Sequence, residues 1–307
     1  MNIRDLQYLV AVHDLNNFSK AAERCFVSQP TLSGQLKKLE TELGSELIER
    51  STRQVLFTKV GEEIVQYARE ALQTVDQIRS VAKQNIDPMS GDFHLGLIPT
   101  VGPFLLPLIM PALTESYPDA NIYLYELRTD ELLTKLNRGE IDAAIMAKLD
   151  WDQPFKQFDL YVETMLLAVS SSDPISNAIE PVGLDALDNR RVLMLEDGHC
   201  LRDQAIDVCF SAGAKEDKRF RATSMDTLLH MVATGSGMTL IPELASRTRV
   251  DGITFLPFNK PRPEREIIML ARKNSARMEA LKNIADVTAS VVTSSLPEQP
   301  NSGVTGF

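Results

Sequence analysis

The chain has 307 residues, a hydrophobic content of 44% and a net charge of −10, which suffices for two domains with ordinary apolar cores. Three cysteines are too few for a disulfide scaffold, no apolar run is long enough to span a membrane, and the first residues lack a signal-peptide pattern. We therefore expect a soluble, cytoplasmic protein in which any disulfide is transient and regulatory.

The negative charge is unevenly distributed along the chain. Residues 1–60 contain eight Lys or Arg against seven Asp or Glu, so nearly all of the excess lies beyond them. Residues 1–60, which we call the head, are thus nearly neutral although the rest of the chain is acidic. Such a segment can still bind nucleic acid through locally placed basic residues.

The first 60 residues predict short helices with tight connections. Ser28 is a good N-cap, and Pro30 is tolerated in the first turn of the helix that follows. The buried stripe of that helix consists of leucines three or four residues apart, namely Leu32, Leu36, Leu39 and Leu43. Its opposite face carries hydroxyl, amide and ammonium groups that suit base edges and phosphates, namely Thr31, Ser33, Gln35, Lys37 and Lys38. Residues 47–58 resemble a β-wing tipped by Arg50 and Arg53. The alternative is a small helical domain with a polar face.

After the wing, apolar residues recur at alternating steps of four and three. They are Ile64, Ala68, Ala71, Val75, Ile78 and Ala82. This spacing predicts a two-stranded coiled coil whose helix is capped by Thr58 and ends at a hinge, residues 88–91. The alternative is a helix packed on its own domain, because alanine at three of the six positions makes a weak seam.

From Asp92 onward the chain alternates predicted strands and helices. The strands are residues 93–98, 122–126, 141–146, 166–170, 192–195 and 238–241, and the helices are residues 105–117, 131–137, 224–233 and 277–292. Such alternation indicates α/β units with parallel sheets. Residues 297–303 are predicted to be disordered.

Two of the cysteines, Cys200 and Cys209, are nine residues apart. If the segment between them is helical, their sulfurs lie on opposite faces, roughly 13.5 Å apart along the axis. A disulfide needs Cα atoms within about 7 Å, so the pair can bond only if the segment unwinds. This favours a redox switch over a structural staple, with two inert core cysteines as the alternative. We do not expect Cys200, Cys209 and His199 to bind zinc, because paired zinc-ligand spacing is missing, and no other metal or cofactor is expected. Cys25 is interpreted as a small buried hydrophobe.

The first 60 residues resemble the winged helix-turn-helix of LysR-type transcription regulators. The matching residues are Leu6, Phe18, Ala21, Ala22, Ser28, Gln29, Pro30, Ser33, Leu39, Glu40, Gly44, Glu49, Arg50, Thr58 and Gly61. The remainder resembles the periplasmic-binding-protein-like effector domain of the same family, in which two lobes close around a ligand. The resemblance implies a DNA-binding domain at residues 1–59, a dimerising linker helix at 60–88, a two-lobed α/β regulatory domain at 89–294 and a tail at 295–307.

The resemblance also implies roles for residues of the head. Four would face bases, namely Gln29, Pro30, Ser33 and Gln35, and four would hold phosphate or enter the minor groove, namely Arg4, Lys37, Arg50 and Arg53. Ser28 and Thr31 complete the expected DNA-binding set. The implied partners are double-stranded operator DNA, RNA polymerase and further copies of the chain, which form a dimer through the linker helix and then a tetramer. No membrane partner is expected.

Residues 195–205, with the second cysteine at 209, are similar to the redox loop of the hydrogen-peroxide sensors in this family, and residues 96–103 and 221–224 match as well. By this resemblance Cys200 is oxidised to sulfenic acid and Cys209 resolves it to a disulfide, which cellular thiols reduce again. A peroxide-reactive thiol must be deprotonated, which a helix N-terminus and a nearby cation such as Arg202 favour. The implied peroxide-binding residues are Thr100, Thr129, His199 and Arg265, and the implied targets are antioxidant genes.

Two other functions remain open. One is a metabolite-responsive regulator of the same family, which would bind a small organic anion between its lobes. The other is a thiol peroxidase, although a DNA-reading head and a coiled-coil seam would then have no purpose. We therefore expect a regulator rather than an enzyme.

Overall fold

The computed structural model describes residues 1–50, 55–84, 89–149 and 154–296. The chain divides into two compact units, Met1–Ile86 and Asp87–Phe307. Arg53, Pro88 of the predicted hinge and the predicted disordered segment 297–303 lie outside the described residues. No helix in the described part of the chain is long and apolar enough to cross a membrane.

The first unit is built from helices and a short antiparallel wing. Its elements are α1 (Ile3–Leu15), α2 (Phe18–Arg24), α3 (Gln29–Leu43), β1 (Ile48–Arg50), β2 (Val55–Phe57) and α4 (Lys59–Gln84). Asn2, Asn17 and Ser28 cap α1, α2 and α3, because each side-chain oxygen accepts a hydrogen bond from the backbone N–H three residues on. The predicted N-cap at Ser28 is therefore confirmed.

The core of this unit contains the leucine stripe of α3. Leu32, Leu36 and Leu39 are buried together with Leu9 of α1, as the spacing predicts. The prediction is wrong for Leu43, which is exposed. Leu43 is the last residue of α3 and directly precedes the C-cap glycine, so it lies beyond the part of the helix that packs on the core.

Helix α4 begins next to a close backbone contact. The Thr58 hydroxyl accepts a hydrogen bond from the Gly61 N–H at 2.9 Å and donates to the Glu46 carbonyl at 2.8 Å, which confirms the predicted cap. A Cβ added to Gly61 would lie 2.1 Å from the carbonyl oxygen of Leu47. Gly61 therefore sets how closely α4 can approach the wing.

The predicted coiled-coil seam of α4 is divided between two environments. Ala68 is buried in the core of the head and Ile64 is half-buried against it, so the first turns follow the alternative of a helix packed on its own domain. Ala71 and Ile78 are exposed further along the helix. The side chain of Ala82 lies outside the described part of α4.

The second unit has strands and helices in alternation. Its elements are β3 (Gly91–Leu97), α5 (Gly102–Ser116), β4 (Ala120–Glu126), α6 (Thr129–Asn137), β5 (Ala143–Ala147), β6 (Phe155–Ser170), β7 (Arg191–Leu195), α7 (Cys200–Ser211), β8 (Lys215–Ala222), α8 (Met225–Ala233), β9 (Thr239–Pro242), β10 (Ile253–Pro257), β11 (Glu264–Arg272) and α9 (Met278–Ser295).

The sheets are mixed rather than purely parallel. In the order β10-β6-β11-β5-β3-β4, strand β3 runs parallel to β4 and β5, whereas β11 and β6 are antiparallel to their neighbours. Strands β7 and β8 form a separate parallel pair. The expectation of parallel sheets therefore holds for the β-α-β units and is wrong for β6, β9, β10 and β11, which pair antiparallel. The sequence pattern predicted β9, missed β10 and β11, and found only the last part of β6.

Two hydrophobic cores divide this unit into lobes, in agreement with the two-lobed α/β fold expected from the sequence. We call the lobe around Phe93, Leu105 and Ile145 lobe I, and the lobe around Leu193, Leu229 and Phe258 lobe II. Strand β6 contributes to both cores, and its residues 155–164 pair with β11 while residues 165–170 pair with β9 and β10. Residues near 163 and 265 therefore lie where the chain passes from one lobe to the other.

Candidate functional site

The two cysteines lie at opposite ends of one helix, as the sequence predicts. Cys200 is the first residue of α7 and Cys209 lies in its third turn. Both thiols are free, and the residues are 8% and 0% exposed. Cys200 packs in the core of lobe I and Cys209 in the core of lobe II. Because a helix separates them by roughly 13.5 Å along its axis, a disulfide requires α7 to unwind and Cys200 to leave lobe I.

Residues 196–199, which directly precede α7, are the part of this region that we call the redox loop from here on. Gly198 adopts a left-handed conformation with φ +93°, which only glycine adopts without strain. His199 is the N-cap residue of α7, and its carbonyl accepts a hydrogen bond from the Arg202 N–H at 2.8 Å. Asp197 accepts hydrogen bonds from Arg202 at 2.9 Å and Arg221 at 2.7 Å. The loop is thereby attached to lobe II and sets where α7 begins.

Arg202 was expected to be a cation close to the Cys200 thiol. Its guanidinium instead pairs with Asp197 and with Glu216, the latter at 2.9 Å, and donates to the Leu195 carbonyl at 3.1 Å. The positive charge is therefore neutralised within lobe II by two carboxylates.

Two of the expected peroxide-binding residues are in direct contact. Arg265 donates to the Thr100 hydroxyl at 3.2 Å and to its carbonyl at 2.9 Å. The same guanidinium pairs with Glu163 at 2.7 Å, and the two charged side chains are 1% and 0% exposed. The second oxygen of Glu163 accepts from the Leu244 N–H at 3.1 Å. Sequence reasoning missed Glu163, whose signal was a lone acidic residue just before the predicted strand 166–170.

Among the described buried polar atoms without a hydrogen-bond partner are Thr129 Oγ1, His199 Nε2 and the hydroxyl of Tyr161, which lies close enough to Glu163 and Arg265 to feel their charges. Burial lowers the pKa of the His199 imidazole below its usual range, and the charge of Arg128 lowers it further while Glu196 opposes the shift. Burial, together with Glu163, raises the pKa of the Tyr161 phenol. An unpaired buried hydroxyl or imidazole group is costly, so each of these atoms could be stabilised by a small polar molecule that hydrogen-bonds to it.

A cavity of about 350 Å³ lies beside His199 between lobes I and II. It is lined by both charged and hydroxyl side chains, among them Arg128, Glu131, His199, Ser224 and Asp226. Neither Thr100 nor Arg265 lines it, and both are buried. Of the four expected peroxide-binding residues, His199 is therefore the one that lines this cavity.

The second cysteine is held as an unreactive thiol. Burial raises the pKa of Cys209 to about 12, so it is protonated at neutral pH while α7 is intact. Cys25 packs against the core of the head but is only half-buried, so it is less enclosed than the small buried hydrophobe expected from the sequence. Within the described residues no group of three or more His, Cys, Asp or Glu side chains could hold a metal ion.

Most of the expected DNA-binding residues lie at the start of α3, whereas Arg4 lies in α1. Arg4, Ser28, Gln29, Pro30, Thr31 and Lys37 are exposed, and Ser33 and Gln35 are half-buried. The Ser28 hydroxyl lies 2.7 Å from that of Thr31, so both belong to the helix cap. Arg50 ends strand β1, its side chain lies outside the described residues, and Arg53 lies outside them altogether.

Sequence reasoning missed Phe26 in the turn before α3. Its side chain is 96% exposed, and its backbone is left-handed with φ +55°. A non-glycine residue in this conformation is strained, and a fully exposed phenyl ring gains nothing from burial. The missed signal was an aromatic residue two positions before a helix cap that is expected to face DNA.

Comparison with known families covers both units. Residues 3–62 match the family model described as "Bacterial regulatory helix-turn-helix protein, lysR family". Residues 87–292 match the model described as "LysR substrate binding domain". The two matches correspond to the head with its first linker turns and to the two-lobed unit.

Individual relatives are similar along nearly the whole chain. A hydrogen peroxide-inducible genes activator of Dickeya chrysanthemi is 48% identical over 289 residues, which cover 93% of this chain and 94% of that protein. A full-length OxyR from Pseudomonas aeruginosa carrying a cysteine-to-aspartate substitution is 34% identical, with a TM-score of 0.78 and coverage of 98% and 99% of the two chains. A hydrogen-peroxide-bound cysteine-to-serine mutant of OxyR from Corynebacterium glutamicum is 32% identical, with a TM-score of 0.64 and coverage of 95% and 94%.

Proposed function

Because the chain belongs to the LysR family of transcription regulators, we propose that it is a hydrogen-peroxide sensor that controls antioxidant genes by binding operator DNA. Members of this family are DNA-binding regulators and not enzymes. The observation that carries the proposal is helix α7, which holds one free cysteine in the core of each lobe. Similarity to relatives named for hydrogen peroxide supports the same signal.

The first chemical step takes place at Cys200. Its thiolate sulfur attacks one oxygen of hydrogen peroxide, the O–O bond breaks, hydroxide leaves and a sulfenic acid forms. Thr100, Thr129, His199 and Arg265 are the residues we assign to bind peroxide. The unpartnered Thr129 hydroxyl and His199 nitrogen, and the cationic Arg265 beside Thr100, could hold the attacked and leaving oxygens by hydrogen bonds.

The second step joins the two cysteines. The Cys209 sulfur attacks the sulfenic sulfur of Cys200, the S–O bond breaks and water leaves. While α7 is intact, Cys209 is protonated and its sulfur faces the core of lobe II. Disulfide formation therefore requires α7 to unwind, which removes Cys200 from lobe I and changes the contact between the lobes. The covalent bond biases a two-state element, and cellular dithiols would reverse it.

The output is a change in DNA binding. The bases would be contacted by Gln29, Pro30, Ser33 and Gln35, with Ser28 and Thr31 at the helix start, and the phosphates or minor groove by Arg4, Lys37, Arg50 and Arg53. A lone recognition helix buries little surface, so two-fold symmetric half-sites call for a dimer. Exposed Ala71 and Ile78 on α4 support dimerisation through the linker helix. Tetramer formation, a cytoplasmic location and RNA polymerase as the downstream partner are further parts of the proposal.

The test counts thiols before and after one equivalent of hydrogen peroxide and footprints both samples on a duplex that the wild-type protein selects from random DNA. We expect two thiols to disappear, a peptide linked through Cys200 and Cys209, and a changed footprint. The Cys25→Ser variant should behave like the wild type, and Cys200→Ser should keep the reduced footprint. An unchanged footprint, or no linked peptide, would overturn the proposal.

A second candidate is a regulator that responds to a small organic anion. The polar cavity of about 350 Å³ with Arg128 in its lining favours this reading. In that case Cys200→Ser would leave the response to the inducer intact, and peroxide would not alter the footprint.

A further inference from the structure

An ion pair connects lobe I to the redox loop. It joins the guanidinium of Arg128 to the carboxylate of Glu196. Arg128 is fixed in lobe I at the start of α6, where its carbonyl accepts a hydrogen bond from the Leu132 N–H at 2.8 Å. Glu196 is fixed in lobe II, where its N–H donates to the Ala222 carbonyl at 2.9 Å. The pair therefore joins lobe I directly to the segment that precedes Cys200.

The other ionic contacts of the redox loop stay within lobe II. Asp197 pairs with Arg202 at 2.9 Å and with Arg221 at 2.7 Å. Among the described ion pairs of the loop, Arg128–Glu196 is the one that reaches lobe I. The Asp197–Arg221 contact can thus persist when the loop leaves lobe I, whereas the Arg128–Glu196 contact has to break.

Arg128 also covers the turn that presents Cys200. A Cβ placed on Gly198 would lie 3.5 Å from the Arg128 Cδ, so the side chain runs along the loop. Arg128 and His199 line the same cavity together with Glu126, Glu131 and Asp226. The side chain is therefore placed to keep the loop, His199 and Cys200 together.

We propose that Arg128 is a positioning residue of the redox cycle, which through Glu196 holds the redox loop and Cys200 against lobe I in the reduced protein. This inference rests on the proposed function, because the ion pair matters for sensing only if Cys200 has to leave lobe I to reach Cys209.

The two chemical steps should respond to this ion pair in opposite ways. Sulfenic acid formation takes place in the reduced arrangement, so loss of the pair slows it. Disulfide formation takes place after the loop has left lobe I, so loss of the pair favours the disulfide. A residue with a merely structural role would not produce this combination.

The experiment uses full-length Arg128→Gln and Glu196→Gln. Sulfenic acid formation by hydrogen peroxide is timed in the Cys209→Ser background, where the second step is blocked. The equilibrium constant for the Cys200–Cys209 disulfide is measured in proteins that keep Cys209, in mixtures of reduced and oxidised glutathione. Because the pair is partly exposed, we expect the rate constant to fall, and the equilibrium constant for the disulfide to rise, by about twofold to fivefold each. The latter corresponds to a reduction potential more negative by about 10–20 mV.

Matched variants make the test specific. Lys135→Gln removes a different ion pair of α6, that with Glu140 at 2.8 Å, and should change neither quantity. The double variant of Arg128 and Glu196 should resemble the single ones, and the charge swap Arg128→Glu with Glu196→Arg should restore both quantities. Unchanged values in an Arg128→Gln protein with the wild-type melting temperature would overturn the inference, and so would an effect of Arg128→Gln without one of Glu196→Gln. Failure of the proposed function would be seen separately, as no Cys200–Cys209 disulfide in the wild type.

Discussion

Replacing Glu163 by Gln should destabilise the two-lobed unit strongly although the side chain keeps its size. Glu163 and Arg265 are 0% and 1% exposed, so the substitution leaves a guanidinium charge buried without its counterion. It also turns one of two acceptor oxygens into a donor, facing either the Arg265 Nε at 2.9 Å or the Leu244 N–H at 3.1 Å. Breaking a buried pair from one side costs about 3–5 kcal/mol. A unit of this size would then melt lower by about 6–20 °C.

Urea unfolding of the reduced full-length protein measures this cost. Fluorescence reports on the two-lobed unit, because the single tryptophan of the chain, Trp151, falls within Asp87–Phe307. The matched control is Glu266→Gln on the same sheet, which breaks an exposed pair with Lys148 at 2.6 Å and should cost less than about 1 kcal/mol. A loss below about 1 kcal/mol for Glu163→Gln would refute the reasoning. Replacing Glu163 and Arg265 together by apolar residues should cost less than either single change.

The local features of the redox site could be predicted from the sequence. Cys200 follows Gly198 and His199, which indicates a helix start, and the nine-residue spacing to Cys209 fixes the geometry of the helix between them. The helix start and the cysteine spacing each depend on residues that are close in the sequence, and over such short ranges periodicity and turn-forming residues are informative. The structure confirms that a helix begins at Cys200 and extends past Cys209, and that Gly198 turns the chain just before it.

The long-range features could not be predicted in the same way. Arg265 and Glu163 are 102 residues apart in the chain and meet only because β6 and β11 pair. Strand β8 carries so many charged residues that it lacks an alternating pattern, although its edge position makes them tolerable. The resemblance to a family proposed Arg265 for the pocket, but it did not supply the carboxylate that holds the guanidinium in place.

Helix periodicity also does not say which surface a stripe will meet. The spacing of α4 predicts a seam between two helices, yet Ala68 of that seam packs in the core of the head while Ile78 remains exposed. Apolar residues with the same spacing therefore lie both in the core of the head and on an exposed face of α4. Which of them are buried depends on how far along α4 the wing and α1 extend.

The remaining predictions concern the head and the pH response. Gly61→Ala should destabilise the head by about 1–3 kcal/mol in thermal unfolding, because its Cβ would meet the Leu47 carbonyl oxygen at 2.1 Å, and a wild-type melting temperature would contradict this. Phe26→Gly should raise the melting temperature, because glycine adopts the left-handed backbone conformation without strain. The same variant should bind the selected duplex several-fold more weakly, because it lacks the exposed ring. Equal or tighter binding would show that the ring does not contact DNA. The pKa of His199 is lowered in the folded protein. The contribution of this residue to the free energy of unfolding is therefore present above about pH 6.5 and is lost as the pH falls. A His199→Gln variant should lack this decrease in stability at low pH. The pH dependence of stability that comes from Cys209 has the opposite sign, because burial raises the pKa of this thiol from 9.0 to about 12. Its contribution to the reduced protein is complete below pH 9 and declines as pH rises toward 12. Urea midpoints measured across that range should fall more steeply for the wild type than for Cys209→Ser, and parallel curves would mean that Cys209 reaches solvent while α7 is intact, so that unwinding would not be needed to activate it.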